Sequence, residues 1–265
     1  MSSLPRAPAP ADRLEGPAAF RKSSQPADPP RTEERLAFSV RIVRNDEELA
    51  KAVSIRHAAY ARHMPEFAEK LRHAEAMDAE PGVVVLLAES KLDGSALGTL
   101  RIQTNAHMPL TVEQSVTLPR WMRDRPLAEV TRLGITGGSI GRLVKTVLIK
   151  AAFQYCELDE IEWAIIAARP PLDHQYSQLM FEELNPEQGL IPLRHVDNIL
   201  HRVLAFEIDT GHQRWTEANH PLLNFFSYTH HPDIELKLPQ QINWGELFPH
   251  PSTARFAQPL GRRPV

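Results

Sequence analysis

Apolar positions along the chain recur with two different periods, and the alternation between them sets out the order of elements. Residues 38–43 alternate as a short strand, and Asn45 followed by Asp46, Glu47 and Glu48 reads as a helix N-cap with an acidic first turn. The helix it opens runs to about residue 63 and places Leu49, Val53, Ile55 and Tyr60 near one side. Residues 83–88 are an apolar strand, Asp93-Gly94 supplies turn chemistry, and 96–103 returns as the partner strand of a hairpin. Leu127–Ile135 is a further strand. The clearest helix follows the turn Gly137-Gly138-Ser139-Ile140-Gly141, with Leu143, Val144, Val147, Leu148, Ala151, Ala152 and Tyr155 at helical spacing. Beyond it, 161–168 reads as a buried strand, 173–184 as a helix, 200–208 as a strand and 215–226 as a helix. This order predicts an α/β fold with a central sheet.

Composition divides the chain into unlike parts. Of 23 prolines in 265 residues, 13 lie in 1–36 or 229–265. The first of these segments has too little apolar surface to offset chain entropy and is expected to be a disordered tether. The second carries Trp244, Leu247, Phe248 and Phe256, which suit an extended strap against a folded surface. Residues 37–228 then form one domain, long enough to bury roughly 70% of its unfolded surface. A formal charge of -3 argues against nucleic-acid binding through bulk positive charge, and no stretch reads as a membrane span. The single thiol, Cys156, excludes an internal disulfide, and no N-terminal apolar segment resembles a signal peptide, so a cytoplasmic location is expected. No two of the twelve histidines stand three or four apart, and no metal site is expected. Cys156 extends the apolar row of the long helix and reads as a buried, inert thiol.

Chemistry concentrates around Leu127–Ile135. Glu129 and Arg132 are ionisable groups in an otherwise apolar strand, and in regular geometry their spacing of three sends them to opposite faces. A bulge between them would bring both to one side. Arg101 on the neighbouring hairpin strand is placed to meet them, and Arg56 and Tyr60 stand one turn apart on the first helix. The glycine turn ahead of the long helix suits a phosphate or phosphopantetheine, held by unpaired N–H groups that glycines leave approachable. The same arrangement also arises where a chain simply reverses, and both readings stand at this point. Neither the P-loop nor the dinucleotide spacing is present.

An ordered set of these residues resembles a known group. Arg56 with Tyr60 four later, Asp78 before PGVVVLLAE, Arg101 in GTLRIQ, and Glu129 with Arg132 in AEVTRLGI are similar to the autoinducer (acyl-homoserine lactone) synthases and, more closely, the N-acyl amino acid synthases. The resemblance covers roughly residues 38–228 and implies a GNAT-like acyltransferase fold, with a central mixed, mostly antiparallel sheet flanked by helices. It further implies an acyl thioester on phosphopantetheine as substrate, delivered by an acidic acyl carrier protein, with a small-molecule amine as acceptor and no tightly bound cofactor. Autoinducer enzymes carry a tryptophan ten positions after the first arginine, where this chain has Glu66. That departure disfavours adenosylmethionine and favours an amino acid as acceptor.

Roles follow from the chemistry of amide formation. Glu129, desolvated in a sheet, has a raised pKa and removes a proton from the amine. Arg132 and Arg101 hold the acceptor carboxylate or organise Glu129 and Asp78, and Gly134 or the amides just beyond it supply the oxyanion donors. Arg56, Tyr60 and Asp78 complete the substrate site. Gly138, Gly141, Arg142 and Lys145 meet the thioester arm and its carrier. Arg120, Arg123 and Arg125 extend that basic dock, and Leu222, Leu223, Phe225 and Phe226 line an acyl tunnel or an ordinary core face. The resemblance places a tyrosine acid where MFEELNPEQ has Phe181, leaving Tyr176 as the substitute. The reading is an N-acyltransferase giving an N-acyl amino acid; the rivals are an acyl-homoserine lactone synthase and a non-catalytic acyl-ligand binding module.

Overall fold

The computed structural model describes residues 30–237, and the tether, apart from its last residues, and Trp244, Leu247, Phe248 and Phe256 of the strap lie outside them. Sixteen elements follow in order: β1 (Thr32–Glu33), β2 (Phe38–Ile42), α1 (Asp46–Ala61), α2 (Pro65–Glu69), β3 (Val83–Ser90), β4 (Ala96–Thr104), β5 (Leu127–Ile135), α3 (Gly138–Leu158), β6 (Trp163–Ala168), α4 (Leu172–Gln178), β7 (Glu182–Glu183), β8 (Ile191–Leu193), β9 (Ile199–Glu207), α5 (Gly211–Glu217), β10 (Thr229–His230) and β11 (Ile234–Glu235). The main sheet runs β11-β2-β3-β4-β5-β6-β9-β7, with β8 also on β9, and β1 pairs with β10 separately. Pairing is antiparallel except at β5–β6 and β11–β2 within the main sheet and at β1–β10.

Two faces of this sheet carry different loads. Leu86, Leu100, Ile102, Ala128, Ala164, Ile166, Leu204 and Phe206 pack under α3, whose Val144, Val147, Leu148 and Ala151 are fully buried. Each fully buried Val, Leu, Ile or Phe among them contributes about 1.5–3 kcal/mol. The opposite face holds Leu127, Ile165, Val203 and Ala205 with Phe67, Leu71, Leu110 and Val112, and farther along Val85 and Leu87 against α1. Helix α1 starts as its sequence demands, with the Asn45 side chain accepting from the Glu48 N–H at 3.0 Å. Its buried row differs from the apolar one: Leu49, Ala52, Val53, Arg56 and Ala59 face inward, while Ile55 and Tyr60 are only half-buried. An arginine placed in that row is what blurs the helical pattern.

Two helices are shorter than their periodicity predicts. Helix α4 stops at Gln178, Met180 takes φ 69°, and Glu182–Glu183 becomes a strand on β9. The carbonyls just past its end are taken by side chains of α5: Trp215 Nε1 donates to Leu179 O at 3.2 Å and Arg214 Nη2 to Met180 O at 2.9 Å. Phe181 then turns inward against Phe153 and Phe206. The second expected helix, 215–226, breaks after Glu217, where Asn219 adopts φ 48° and Pro221 cannot continue the ladder. A single π turn, Asn224–Tyr228, takes its place. Residues 229–235 remain with the sheet: Asp233 accepts from the Leu36 N–H at 2.7 Å and pairs with Lys91.

Candidate active site

Strand β5 changes register midway. It pairs with β4 as Gln103↔Glu129, Ile102↔Val130 and Arg101↔Thr131, then as Thr99↔Gly134, so that Arg132 and Leu133 together oppose Leu100. This is a β-bulge, with Arg132 at φ 56°. A non-glycine residue there costs of order 1 kcal/mol or more, offset by what its side chain gains. On the other edge, β5 pairs with β6 only from Leu127↔Trp163 to Val130↔Ile166, although both strands continue. Beyond Val130 the two strands no longer pair, so the β5 amides on that edge have no β6 partner.

The bulge gathers Arg132 with the groups expected to join it. Arg56 and Asp78, both buried, form a two-pronged pair at 2.8 and 2.9 Å. Arg101 Nη1 reaches Asp78 at 3.2 Å and Glu75 at 3.1 Å, and its Nε meets Thr131 Oγ1 at 3.2 Å. Arg132 grips Glu75 through Nε and Nη2, both at 2.7 Å. Glu75 thus binds all three guanidiniums, Arg56 included at 3.2 Å, yet nothing in its sequence context marked it out. It caps the short turn Ala76–Ala79, where Asp78 accepts from its N–H at 2.9 Å. Burial alone would raise the Glu75 carboxyl, but the Arg132 bonds and the charges of Arg101 and Arg132 hold it at about 2. Burial likewise disfavours the Arg132 cation, and Glu75 more than compensates, raising its pKa.

Glu129 sits beside this cluster on the same face, with no exposed surface. Its Oε2 accepts from the Val112 N–H at 2.8 Å. Burial pushes the carboxyl up to about 7, against the pull of that N–H, Arg101 and Arg132. Its Oε1 has no hydrogen-bond partner among the described residues and faces His195 Nε2 at 4.0 Å. His195, on the turn Arg194–Val196, escaped sequence reasoning because its loop position is set by β8 and β9 and not by any local pattern. Burial, with Arg132 next, takes its imidazole down to about 4. Three guanidiniums thus meet the carboxyls of Glu75 and Asp78, an excess of one basic group over acidic ones beside Glu129.

Other expected residues divide among three places. Tyr60 packs against Phe67 with the rings tilted by 48° and their centres 5.9 Å apart, and the Arg132 guanidinium lies 5.4 Å from that same Phe67 ring. Gly134 is the point where α1 crosses β5: a Cβ there would come within 3.0 Å of Arg56 Cα, and the residue is paired with Thr99. The glycine turn stands at the far end of β5, where Gly138 has φ 78° and a Cβ on Gly141 would lie 1.9 Å from Thr136 O. Arg142 follows on α3, Lys145 bonds Gln175 of α4, and Ile140 and Leu143 are part-exposed nearby. Leu143 therefore leaves the buried row in which its spacing placed it. Tyr176, half-buried on α4, has its phenol pushed up by burial and then by nearby Tyr60, and so keeps its proton.

One grouping is corrected, and two other stretches find their places. Arg120, Arg123 and Arg125 precede β5, while Arg142 and Lys145 follow its other end, so a nine-residue strand of about 30 Å separates them. They do not form one patch, and Arg125 is paired with Glu162. Leu222, Leu223, Phe225 and Phe226 pack on the α3 face, behind the sheet from Glu129. Phe181, in the place of the expected acid, is buried in an aromatic cluster. Cys156 is buried and its thiol is pushed up, as its helical row implied.

No protein-family model and no curated protein matches the chain. Among solved structures it is similar to FeeM, an N-acyl amino acid synthase from uncultured soil microbes, with TM-score 0.56 and 18% identity over 71% of this chain and 96% of that one. The fold is GNAT-like. Lower similarity extends to the acyl-homoserine lactone synthase BjaI (TM-score 0.47, 13% identity, 73% of this chain and 93% of that one). LasI, an AHL synthase, gives TM-score 0.46 at 15% identity over 64% of this chain and 90% of that one. In this GNAT-like chain the parting of β5 from β6 and the Glu129 cluster lie side by side. Among the described residues no helix is long and apolar enough to cross a membrane, and no group of three or more His, Cys, Asp and Glu is arranged to hold a metal.

Proposed function

We propose that the protein is a cytoplasmic N-acyltransferase that passes a long-chain acyl group from an acyl carrier protein thioester to the amine of an amino acid. The observation that carries this reading is Glu129: a fully buried carboxyl raised to about 7, beside the opening between β5 and β6. An amine must lose a proton before it attacks a thioester, and a base titrating near neutrality is matched to that task. In this mechanism the thioester arm enters between the strands from the Gly138 and Gly141 turn. The amine approaches from the face of Arg56, Tyr60 and Asp78, and Glu129 takes its proton. The new oxyanion is met by those amides of β5 past Val130 that do not bond to β4; Gly134, paired with Thr99, is not among them. The surplus positive charge at Arg132 and Arg101 receives the acceptor carboxylate. The thiol, with pKa near 8.5, leaves without strict need of an acid, and Tyr176 is the phenol available to protonate it. Arg142 and Lys145, with Ile140 and Leu143, offer a basic and apolar landing place for an acidic carrier.

The test is direct. Purified protein is incubated with acyl-loaded carrier protein and a pool of amino acids, and acyl amides are sought by mass spectrometry, with acyl-coenzyme A and adenosylmethionine in parallel reactions. Amide from the carrier donor without consumption of adenosylmethionine is expected. Binding of the loaded carrier with no amide formed would leave only a non-catalytic acyl-ligand module.

A further inference from the structure

Glu129 is closed off from solvent, so a proton it takes from a substrate reaches bulk water only through another group. Its Oε2 is engaged by the Val112 N–H. Its Oε1 is unpartnered among the described residues and looks across 4.0 Å at His195 Nε2. The imidazole is nearly buried, with 8% of the side chain exposed, and its Nδ1 is also unpartnered. Buried polar atoms left without partners are rare and costly, and here two belong to neighbouring titratable groups. The gap is too long for a direct hydrogen bond and short enough to be closed by a small rotation of either side chain or by one bridging water.

Resting on the transfer reaction proposed above, we propose that His195 carries the proton away from Glu129. The amine proton goes to Glu129 Oε1 as the C–N bond forms. Oε1–H then gives the proton to His195 Nε2, and the transient imidazolium, through the 8% of its side chain that is exposed, gives one to water. Glu129 is again a carboxylate and His195 again neutral; one proton has moved from amine to solvent. The surroundings suit a carrier more than a partner in a fixed ion pair. Arg101 from β4, Arg132 from β5 and His201 from β9 all disfavour the imidazolium, while Glu75, and Glu129 itself when ionised, favour it. Values of about 7 for Glu129 and about 4 for His195 reverse the ordinary order, so the proton rests on the carboxyl. Passing it to the imidazole is therefore uphill, and the imidazolium is a short-lived carrier.

Two measurements test this, one of them independent of turnover. With ¹⁵N-labelled histidine, the His195 resonances are followed against pH in the wild-type protein and in E129Q. An inflection at the Glu129 midpoint, absent from E129Q, is expected; its absence from the wild type overturns the proposal. In the amide assay, H195A is expected to lower kcat at least tenfold with little change in either KM. Added imidazole should restore part of the loss in H195A and nothing in E129Q. H195F, which keeps a ring but carries no proton, should stay slow. A wild-type rate in H195F, or a loss in H195A that imidazole does not relieve, overturns the relay. A wild-type protein that forms no amide would instead remove the proposed function, while the resonance titration still decides whether the pair is coupled.

Discussion

Replacing Glu129 by Gln separates the cost of the proposed base from its use. The side chain keeps its shape, and the amide oxygen can still accept from the Val112 N–H that Oε2 now holds at 2.8 Å. What disappears is the charge. In the folded protein the carboxyl titrates at about 7, and unfolded at its ordinary 4.5, because burial penalises the anion. The folded state therefore binds the proton more tightly, and its stability falls as pH rises between those two values. At about 1.4 kcal/mol for each factor of ten, the wild-type penalty grows from near zero at pH 4 to roughly 3 kcal/mol at pH 8. E129Q carries none of it. The variant should thus match the wild type in urea unfolding at pH 4 and exceed it at pH 8, with a melting temperature higher by on the order of 5–10 °C. Acyl transfer should move the other way, losing about 10²–10⁴ in kcat, and the wild-type rate should climb through about pH 7 and level off above it. A stability difference that is the same at both pH values would refute the buried-anion argument. A variant rate within a few-fold of wild type would refute the assignment of the base.

Three further outcomes follow from neighbouring groups. Glu75 is held at about 2 and is mostly buried, so it contributes stability that is present above pH 4.5 and lost as pH falls through 2. E75Q, which leaves Arg132 and Arg101 facing each other, should cost about 3–5 kcal/mol at pH 7 in chemical denaturation, and less at pH 2; an equal cost at both would show that charge is not the reason. Gly141→Ala would set a Cβ 1.9 Å from Thr136 O, and should lower the melting temperature markedly, whereas Gly137→Ala, with open space around it, should not. Cys156, buried with its thiol pushed up, should resist a thiol reagent in the native protein and react only on unfolding, and C156A should retain full activity.

Much of the sheet could be read from the chain because its strands are bounded by turn chemistry and its longest helix has a broad apolar side. Glu129 and Arg132, with Arg101 on the next strand, were visible for the opposite reason, as ions in strands where a chain normally puts aliphatics; Arg56 stood out by its spacing from Tyr60, and Asp78 through the resemblance alone. Glu75 and His195 carried no such contrast. They lie in connecting segments already rich in polar residues, and their burial comes from the elements that close over them. The ends of α4 and α5 were misjudged on similar grounds. Periodicity continues past Gln178 and Glu217, but the helix is stopped by side chains arriving from far along the sequence in one case and by Asn219 and Pro221 in the other. The arginines flanking β5 were grouped because they are near in sequence, and a strand is the element that most efficiently carries sequence neighbours apart.

One inserted residue connects the fold to the chemistry. Ahead of the bulge, Ala128 and Val130 point to α3 while Glu129 and Thr131 point to α1; after it, Leu133 and Ile135 point to α3 and Gly134 meets Arg56. The alternation has switched parity at Arg132. Without the switch, Arg132 would project among the aliphatic side chains beneath α3, where no carboxylate waits, and Gly134 would give up the crossing point of α1. With it, Arg132 joins Glu129 and Arg101 on one face, reaches Glu75, and thereby ties the turn bearing Asp78 to the sheet. The same irregularity increases the local twist of β5, in step with its parting from β6 after Val130. The charge cluster, the buried Glu129 carboxyl beside it and the end of β5–β6 pairing go together with a single backbone device, which is why residues as far apart in sequence as Arg56 and Arg132 have to be understood together.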